Sequence, residues 1–304
     1  MIAQRKMQMA NSLVAYSRKS VTPVAAGLSL AMLFGCAYAE PVPPATPAKA
    51  PFKYVEGKAY HILPETHSDE SGYFSIIEGK DGKIYVGTAK YNHNAYLVEF
   101  DPKTEQQKIV IDTHKLVGQT ATGYAAQAKI HTRNFVGPSG KVYVGSQEGY
   151  RAKGDTSEYP GGYVMTYDPK TGVAESLGMP YPGKGVIDVV ADEGRGLIYV
   201  VTTASEKDPS RHWMLYDMKT KAYRDLGPLV PAYATTLMDG KGRANVLTSG
   251  YQLAQYDPAT GKVTVRDIFV GKQKWSGPQP AAPPTWQLAT DGRTAYLVMM
   301  SDPT

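Results

Sequence analysis

Two short phrases alternate along this chain, and their fixed order limits the folds that it can adopt. Copies of the first phrase, Asp-Pro-Lys-Thr-Gly or a variant after an apolar residue, span residues 100–104, 167–172, 216–220 and 256–261. Copies of the second phrase, Gly-Lys-Val-Tyr-Val or a weaker form, span residues 81–87, 139–145, 195–200, 241–246 and 291–297. Asp and Pro favour a tight turn, and Gly tolerates a positive φ. Each phrase therefore predicts a turn between two short strands.

The spacing of the phrases predicts an all-β fold. Successive copies lie roughly 45 to 60 residues apart, which is the repeat length of four-stranded propeller blades. Each unit reads strand, turn, strand, long loop, strand, turn, strand. We therefore predict a β-propeller of four-stranded blades over residues 53–304, with about four and a half blades present. A β-sandwich is the alternative, but it gives no reason for two phrases to alternate in fixed order.

The blade boundaries follow from the same pattern. The predicted blades begin near Tyr73, Lys129, Val186, Ala232 and Trp286. The last residues fall inside a blade, and unpaired sheet edges are generally avoided. The sequence thus predicts a C-terminally incomplete propeller, with seven blades expected in the complete protein.

The N-terminal residues predict export. Residues 1–39 combine four basic residues, no acidic residue and an apolar stretch at 24–35 that is too short for a good membrane span. Cleavage after Ala39 would release a secreted or periplasmic protein, whereas a lipobox-like sequence ending at Cys36 would anchor it to lipid. Residues 40–52, rich in Pro and Ala, are expected to form a stiff linker.

Composition excludes several function classes. Loss of the four basic residues in the signal peptide lowers the formal charge from +5 to +1, so a nucleic-acid partner has little support. Cys36 is the single cysteine, so the mature domain has no disulfide or thiol chemistry. The sequence contains no P-loop, no His-Glu-x-x-His motif and no Gly-x-Ser-x-Gly motif. We expect a monomer that needs no cofactor, with a structural divalent metal left open.

The candidate site residues lie on loops that a propeller would gather at one mouth of its channel. They share side chains that bind anions or move protons: His93, His114, His131, Arg133, Arg151, Arg211, Tyr159 and Tyr233. Each also has a purely structural interpretation. His131 could be a buried core histidine, His93 an exposed loop residue and His114 a turn cap. Tyr159 could be a structural corner, Arg133 could pair with an acid between blades, and the other arginines could be surface charges. Their convergence on one rim is the stronger argument.

Imidazole, phenol and guanidinium groups with few paired acids suit β-elimination on a uronate-containing glycan. That reaction needs a base for the proton α to a carboxylate, a cation for the carboxylate and an acid for the leaving oxygen. A glycoside hydrolase would instead need two carboxylates.

Two stretches of the chain resemble exported bacterial propeller proteins and the seven-bladed ulvan lyases. They span residues 124–134 and 159–163, and the Gly-Lys-Val-Tyr-Val-Gly phrase lies between them. The resemblance implies a polysaccharide lyase with paired histidines, a tyrosine and an arginine at the channel mouth. The histidines would be His131 with His93 or His114, and the tyrosine would be Tyr159. The arginine would be Arg133, Arg151 or Arg211. Where similar proteins have the sequence His-Leu-Val-Glu, this chain has Tyr-Leu-Val-Glu, with Tyr96 in place of the histidine.

Two other functions fit the same loops. A non-catalytic propeller would use Tyr and Trp side chains as a stacking surface for a glycan or a protein. A lactonase-like metal propeller would need acidic ligands at the channel centre, and the sequence offers few.

Overall fold

The computed structural model describes residues 57–66, 68–70, 75–250, 252–275 and 285–298. The predicted signal peptide and linker, the blade start near Tyr73 and the last turn lie outside the described residues. The chain divides into two compact units, residues 1–57 and 58–304, and every element below belongs to the second.

Antiparallel strands in sequential order form four successive sheets. The first sheet contains β1 (Ile76–Glu78), β2 (Ile84–Gly87), β3 (Tyr96–Asp101) and β4 (Gln106–Asp112). The second contains β5 (Lys129–Ile130), β6 (Phe135–Val136), β7 (Val142–Gln147), β8 (Val164–Asp168) and β9 (Val173–Ser176). The third contains β10 (Val186–Asp192), β11 (Leu197–Thr202), β12 (Trp213–Asp217) and β13 (Ala222–Asp225). The fourth contains β14 (Leu237–Met238), β15 (Ala244–Leu247), β16 (Gln252–Asp257) and β17 (Lys262–Asp267).

Shorter elements complete the described part of the chain. Two hairpins follow the fourth sheet: β18 (Phe269–Val270) with β19 (Gln273–Lys274), and β20 (Thr285–Leu288) with β21 (Ala295–Val298). The helix α1 (Thr113–Val117) lies after the first sheet, and single 3₁₀ turns occupy Pro64–Thr66 and Gly123–Ala125. The predicted all-β class and the four-stranded repeat are thus confirmed. The β18–β19 hairpin was not predicted.

The repeated phrases form the turns that the sequence predicts. In all four copies of the first phrase the aspartate Oδ1 accepts a hydrogen bond from the backbone N–H two residues later, at 2.8–2.9 Å. The residue four positions after that aspartate has a positive φ in every case, as Gly172 and Gly261 but also as Glu105 and Lys221. The glycine of the second phrase has a positive φ in all five copies.

Alternate residues of the inner strands face two different neighbouring sheets. In β7, Val142 and Val144 pack into a core cluster with the first sheet, whereas Tyr143 packs with the third sheet. In β11, Ile198 faces the second sheet and Tyr199 faces the fourth. Because side chains alternate along a strand, sheets that are covered on both faces need nearly continuous apolar runs. Three core clusters therefore lie between successive sheets.

A buried ion pair joins three of the sheets at their inner strands. Asp188 of β10 has no exposed surface, and its carboxylate accepts hydrogen bonds from Arg133 Nε at 3.0 Å and from the Thr236 N–H at 2.7 Å. Arg133 also donates to the Thr236 carbonyl at 2.8 Å. We call Arg133, Asp188 and Thr236 the inner junction. Burial raises the pKa of Asp188, and the Arg133 charge opposes that rise.

The innermost strand of the second sheet is broken at residues 131–134. β5 and β6 both pair with β7, and the polar segment between them leaves the ladder. Thr132 Oγ1 accepts the hydrogen bond of the Gly145 N–H at 3.1 Å. The break leaves two short strands in place of one, and His131 and Arg133 contact other segments instead.

None of the helices among the described residues has the length and apolar character needed to span a membrane.

The positive φ of Lys221 predicts how a substitution there changes the stability of the protein. A side chain at positive φ is strained, and glycine removes that strain. We expect Lys221→Gly to raise the free energy of unfolding by about 0.5–1 kcal/mol. Lys219→Gly is the matched control, because Lys219 lies in the same turn without a positive φ and should lose stability. Urea unfolding curves measure both, and a loss in the two variants alike would contradict the account.

The inner junction generates a second test. Arg133→Ala leaves the Asp188 carboxylate buried without its cation, so we expect the free energy of unfolding to fall by about 3 kcal/mol. The control is Arg195→Ala, which removes an arginine that is 47% exposed and pairs with Asp192. That variant should lose less than about 1 kcal/mol. Equal losses in urea titrations of the two variants would mean that the junction does not hold the sheets together.

Candidate functional site

A cavity of about 320 Å³ opens where the second, third and fourth sheets present loops at the same end. Antiparallel strands place these loops together, because each follows the second strand of a sheet or precedes an innermost strand. Residues of five segments line the cavity: Tyr124 and Lys129; Gln147, Glu148, Gly149, Tyr150 and Arg151; Ile187; Thr202, Thr203, Ala204, Glu206 and Arg211; Ala232 and Tyr233. We call it the rim cavity. It holds three of the eight predicted site residues, Arg151, Arg211 and Tyr233.

Lys129 is a cation of the rim cavity that the sequence analysis treated only as the start of a strand. Its side chain is 8% exposed, and its Nζ lies 5.2 Å from the centre of the Tyr91 ring and 5.3 Å from that of Tyr150. Burial lowers the pKa of Lys129, and the charges of Glu148 and Glu70 oppose that change. The sequence signal that could have identified Lys129 is its position between two apolar residues at the start of a predicted strand.

Glu148 supplies a carboxyl group beside this lysine. Burial raises the pKa of Glu148, while the charge of Lys129 and a hydrogen bond with Thr203 act in the opposite direction. The carboxyl oxygen Oε2 is buried and has no hydrogen-bond partner among the described residues. A carboxyl held in this way exchanges a proton at a higher pH than an exposed one.

His131 lies against the rim cavity rather than in its lining. The side chain is 3% exposed, and the imidazole meets the Tyr233 ring edge to face with 6.4 Å between centroids. Burial, with a smaller effect of the Lys129 charge, lowers the pKa of His131 to about 4. The imidazole is therefore neutral at pH 7 and can accept a proton.

The two arginines of the rim cavity differ in how their charge is compensated. Arg151 forms two hydrogen bonds with the Glu206 carboxylate, at 2.9 and 2.5 Å, and donates to the carbonyls of Asp155 and Ser157. Within the described ranges, Arg211 has no ion pair or side-chain hydrogen bond to another residue. Arg151 therefore holds the long loop in place, and Arg211 is the guanidinium that can bind a ligand.

Tyr124 lines the rim cavity and packs against Arg151. The guanidinium carbon of Arg151 lies 3.8 Å from the centre of the Tyr124 ring. Burial raises the pKa of Tyr124 to about 12, which keeps the hydroxyl protonated at neutral pH. Tyr124 is thus a proton donor that lines the cavity.

Tyr159 and His114 lie together around a buried glutamine. The Tyr159 hydroxyl donates to Gln127 Oε1 at 2.9 Å, and the Gln127 N–H donates to His114 Nε2 at 3.2 Å. Burial raises the pKa of Tyr159 well above its ordinary value and lowers that of His114. Neither side chain lines the rim cavity.

Arg133 and His93 lie apart from the rim cavity. Arg133 belongs to the inner junction, where it forms an ion pair with Asp188 of another sheet. It also lines a separate cavity together with Trp286. His93 is exposed on a turn after β2, where its N–H donates to the Lys90 carbonyl at 3.2 Å. The convergence expected for all eight residues is therefore met only by Arg151, Arg211 and Tyr233, with His131 adjacent.

A metal site does not emerge from the described residues, where no group of three or more His, Cys, Asp or Glu side chains could hold an ion. The lactonase-like alternative requires such a group.

No protein family matches the chain, and no curated protein is similar enough to match. The solved structures that are similar to this chain include a puromycin hydrolase S511A mutant in complex with PGG, at a TM-score of 0.40 and 17% identity. The match covers 73% of this chain and 32% of the hydrolase, so this chain spans about a third of the length of that structure.

Proposed function

We propose that the four sheets are blades of a β-propeller and that the rim cavity lies at the mouth of its channel. Three observations support this architecture: the alternating phrases, the sequential antiparallel order of each sheet, and core clusters that each lie between successive sheets. Seven blades in the complete protein, export through residues 1–39 and a monomeric state belong to the same proposal.

The rim cavity is proposed to bind an anionic glycan. The observation that carries this proposal is the imbalance of charge at the cavity. Three basic side chains line the cavity, Lys129, Arg151 and Arg211, against two acidic ones, Glu148 and Glu206, and Glu206 is already paired with Arg151. The phenol rings of Tyr124, Tyr150 and Tyr233 add surfaces on which a sugar ring can stack. A uronate supplies the carboxylate and the ring that these groups recognise.

Cleavage by β-elimination is the proposed reaction. Arg211 and Lys129 would bind the uronate carboxylate and stabilise the negative charge that develops when the α proton leaves. His131 would accept that proton, since its imidazole is neutral at pH 7. Tyr124 would donate a proton to the leaving oxygen. This assignment moves the acid from Tyr159 to Tyr124, because the Tyr159 hydroxyl is directed to Gln127.

A non-catalytic glycan-binding or protein-binding propeller is the second candidate. It is favoured by the exposure of Tyr150, whose side chain is 70% exposed at the cavity edge. Binding without turnover, retained after His131→Ala, would identify this function.

Arg211 provides the first functional test. We expect Arg211→Ala to lower kcat/KM on a soluble polyuronate such as ulvan by at least about a hundredfold, because a developing charge loses its cation. Arg211→Lys should recover part of the rate. Elimination is measured by the ultraviolet absorbance of the unsaturated product. The control is Lys153→Ala, which removes an exposed cation of the same rim outside the cavity lining. No absorbance change with the wild-type protein on any polyuronate rejects the lyase.

The pH profile provides the second functional test. Because burial holds the pKa of His131 near 4, the base stays neutral above that pH and is lost below it. We expect kcat/KM to fall on acidification through about pH 4 rather than through the ordinary histidine range. Tryptophan fluorescence at each pH checks that the protein stays folded. An acidic limb near pH 6.5 in a folded protein would contradict His131 as the base.

A further inference from the structure

Ser210, His212 and Asp225 form a hydrogen-bonded chain on the third sheet, beside the rim cavity and outside its lining. Ser210 Oγ lies 2.9 Å from His212 Nε2, and His212 Nδ1 lies 2.7 Å from Asp225 Oδ2. A carboxylate at Nδ1 keeps a proton on that nitrogen, so the lone pair of Nε2 faces the serine hydroxyl. These are the distances and the order of a nucleophile, its base and the group that orients the base.

The fold fixes the imidazole in this position. His212 immediately precedes β12 and is 7% exposed, and Asp225 ends β13, which pairs with β12. The Tyr181 ring lies 4.4 Å from the His212 ring, and Asp225 Oδ1 accepts a hydrogen bond from the Gly227 N–H at 2.8 Å. The base and its carboxylate are therefore held by packing and by the sheet, not by an exposed loop alone.

A second carboxylate nearby is compensated by a lysine. Asp208 Oδ2 lies 3.9 Å from His212 Nε2 but 2.9 Å from Lys184 Nζ. Lys184 is 1% exposed, and it also donates to the carbonyls of Asp208 and Ser210. A hydrogen bond from Ser210 contributes to a lowered pKa of Asp208, so Asp208 competes with His212 for the serine hydroxyl. This competition is what an experiment must resolve.

We infer that Ser210 is the nucleophile of an acyl-transfer site that hydrolyses carboxylic esters, separate from the proposed elimination. Ser210 Oγ attacks the ester carbonyl while His212 Nε2 takes its proton. The bond from the carbonyl carbon to the alkoxy oxygen then breaks, and His212 returns the proton to that oxygen to release the alcohol. Water attacks the acyl-serine with His212 again as base, releasing the acid and restoring the serine.

The side chains of Ser210 and His212 are hydrogen-bonded to each other and so lie on one face of the segment that leads into β12, whereas Arg211 between them lines the rim cavity. Ser210 is partly exposed, so an ester can approach it from solvent. The substrate class is a carboxylic ester that reaches Ser210 outside the rim cavity.

A fluorophosphonate probe tests the nucleophile directly on the intact protein. We expect the probe to label Ser210, identified by mass spectrometry of the modified peptide. His212→Gln should lower the labelling rate at least about a hundredfold, because it removes the base, and Asp225→Asn should lower it as well. Ser205→Ala is the matched control, a serine of the same loop outside this chain of hydrogen bonds, and it should be labelled like the wild type.

Hydrolysis of p-nitrophenyl acetate supplies the second readout. Turnover should be lost in Ser210→Ala and kept in Ser205→Ala. Absence of label on Ser210, label at another residue, or a rate that His212→Gln leaves unchanged would overturn the inference and make the chain a structural support of the loop. Neither assay uses a polyuronate, so this inference and the proposed elimination fail independently.

Discussion

The buried Asp188 carboxylate is the interaction on which the arrangement of the inner strands depends. A buried charge is costly unless a cation and hydrogen-bond donors satisfy it. Arg133 and the Thr236 N–H meet that need from two other sheets. The carboxylate is satisfied only when all three segments meet, so the junction fixes the order and spacing of the second, third and fourth sheets at their inner ends.

The contacts of the inner junction also position residues of the candidate site. Arg133 can reach Asp188 because residues 131–134 leave the ladder with β7. The same break directs His131 to the Tyr233 ring at the rim cavity, two residues from the ion pair. Ile187, the neighbour of Asp188, lines that cavity. The proposed base is thus held by the same contacts that order the sheets.

Local signals in the sequence were sufficient for the fold class and insufficient for the site. Turns at Asp101 and Asp168 follow from side chains that act within two residues, so the repeated phrases predict them correctly. The ion pairs that decide the site join residues 55 apart, as Arg133 with Asp188 and Arg151 with Glu206. No local pattern identifies such partners. The sequence could therefore offer an ion pair as one alternative for Arg133 but could not name Asp188 as its partner.

The two arginines of the rim cavity differ in whether an acid compensates their charge, and this difference decides which of them can bind a ligand. Arg151 is paired with Glu206, whereas Arg211 forms no ion pair within the described ranges. Lys129 lies close to two tyrosine rings, where burial lowers its pKa and the charge of Glu148 opposes that change. A site with more positive charge than its own acids balance is unfavourable for the empty protein, and a bound carboxylate would relieve that cost. The electrostatic imbalance therefore favours an anionic ligand whether or not the bound glycan is cleaved.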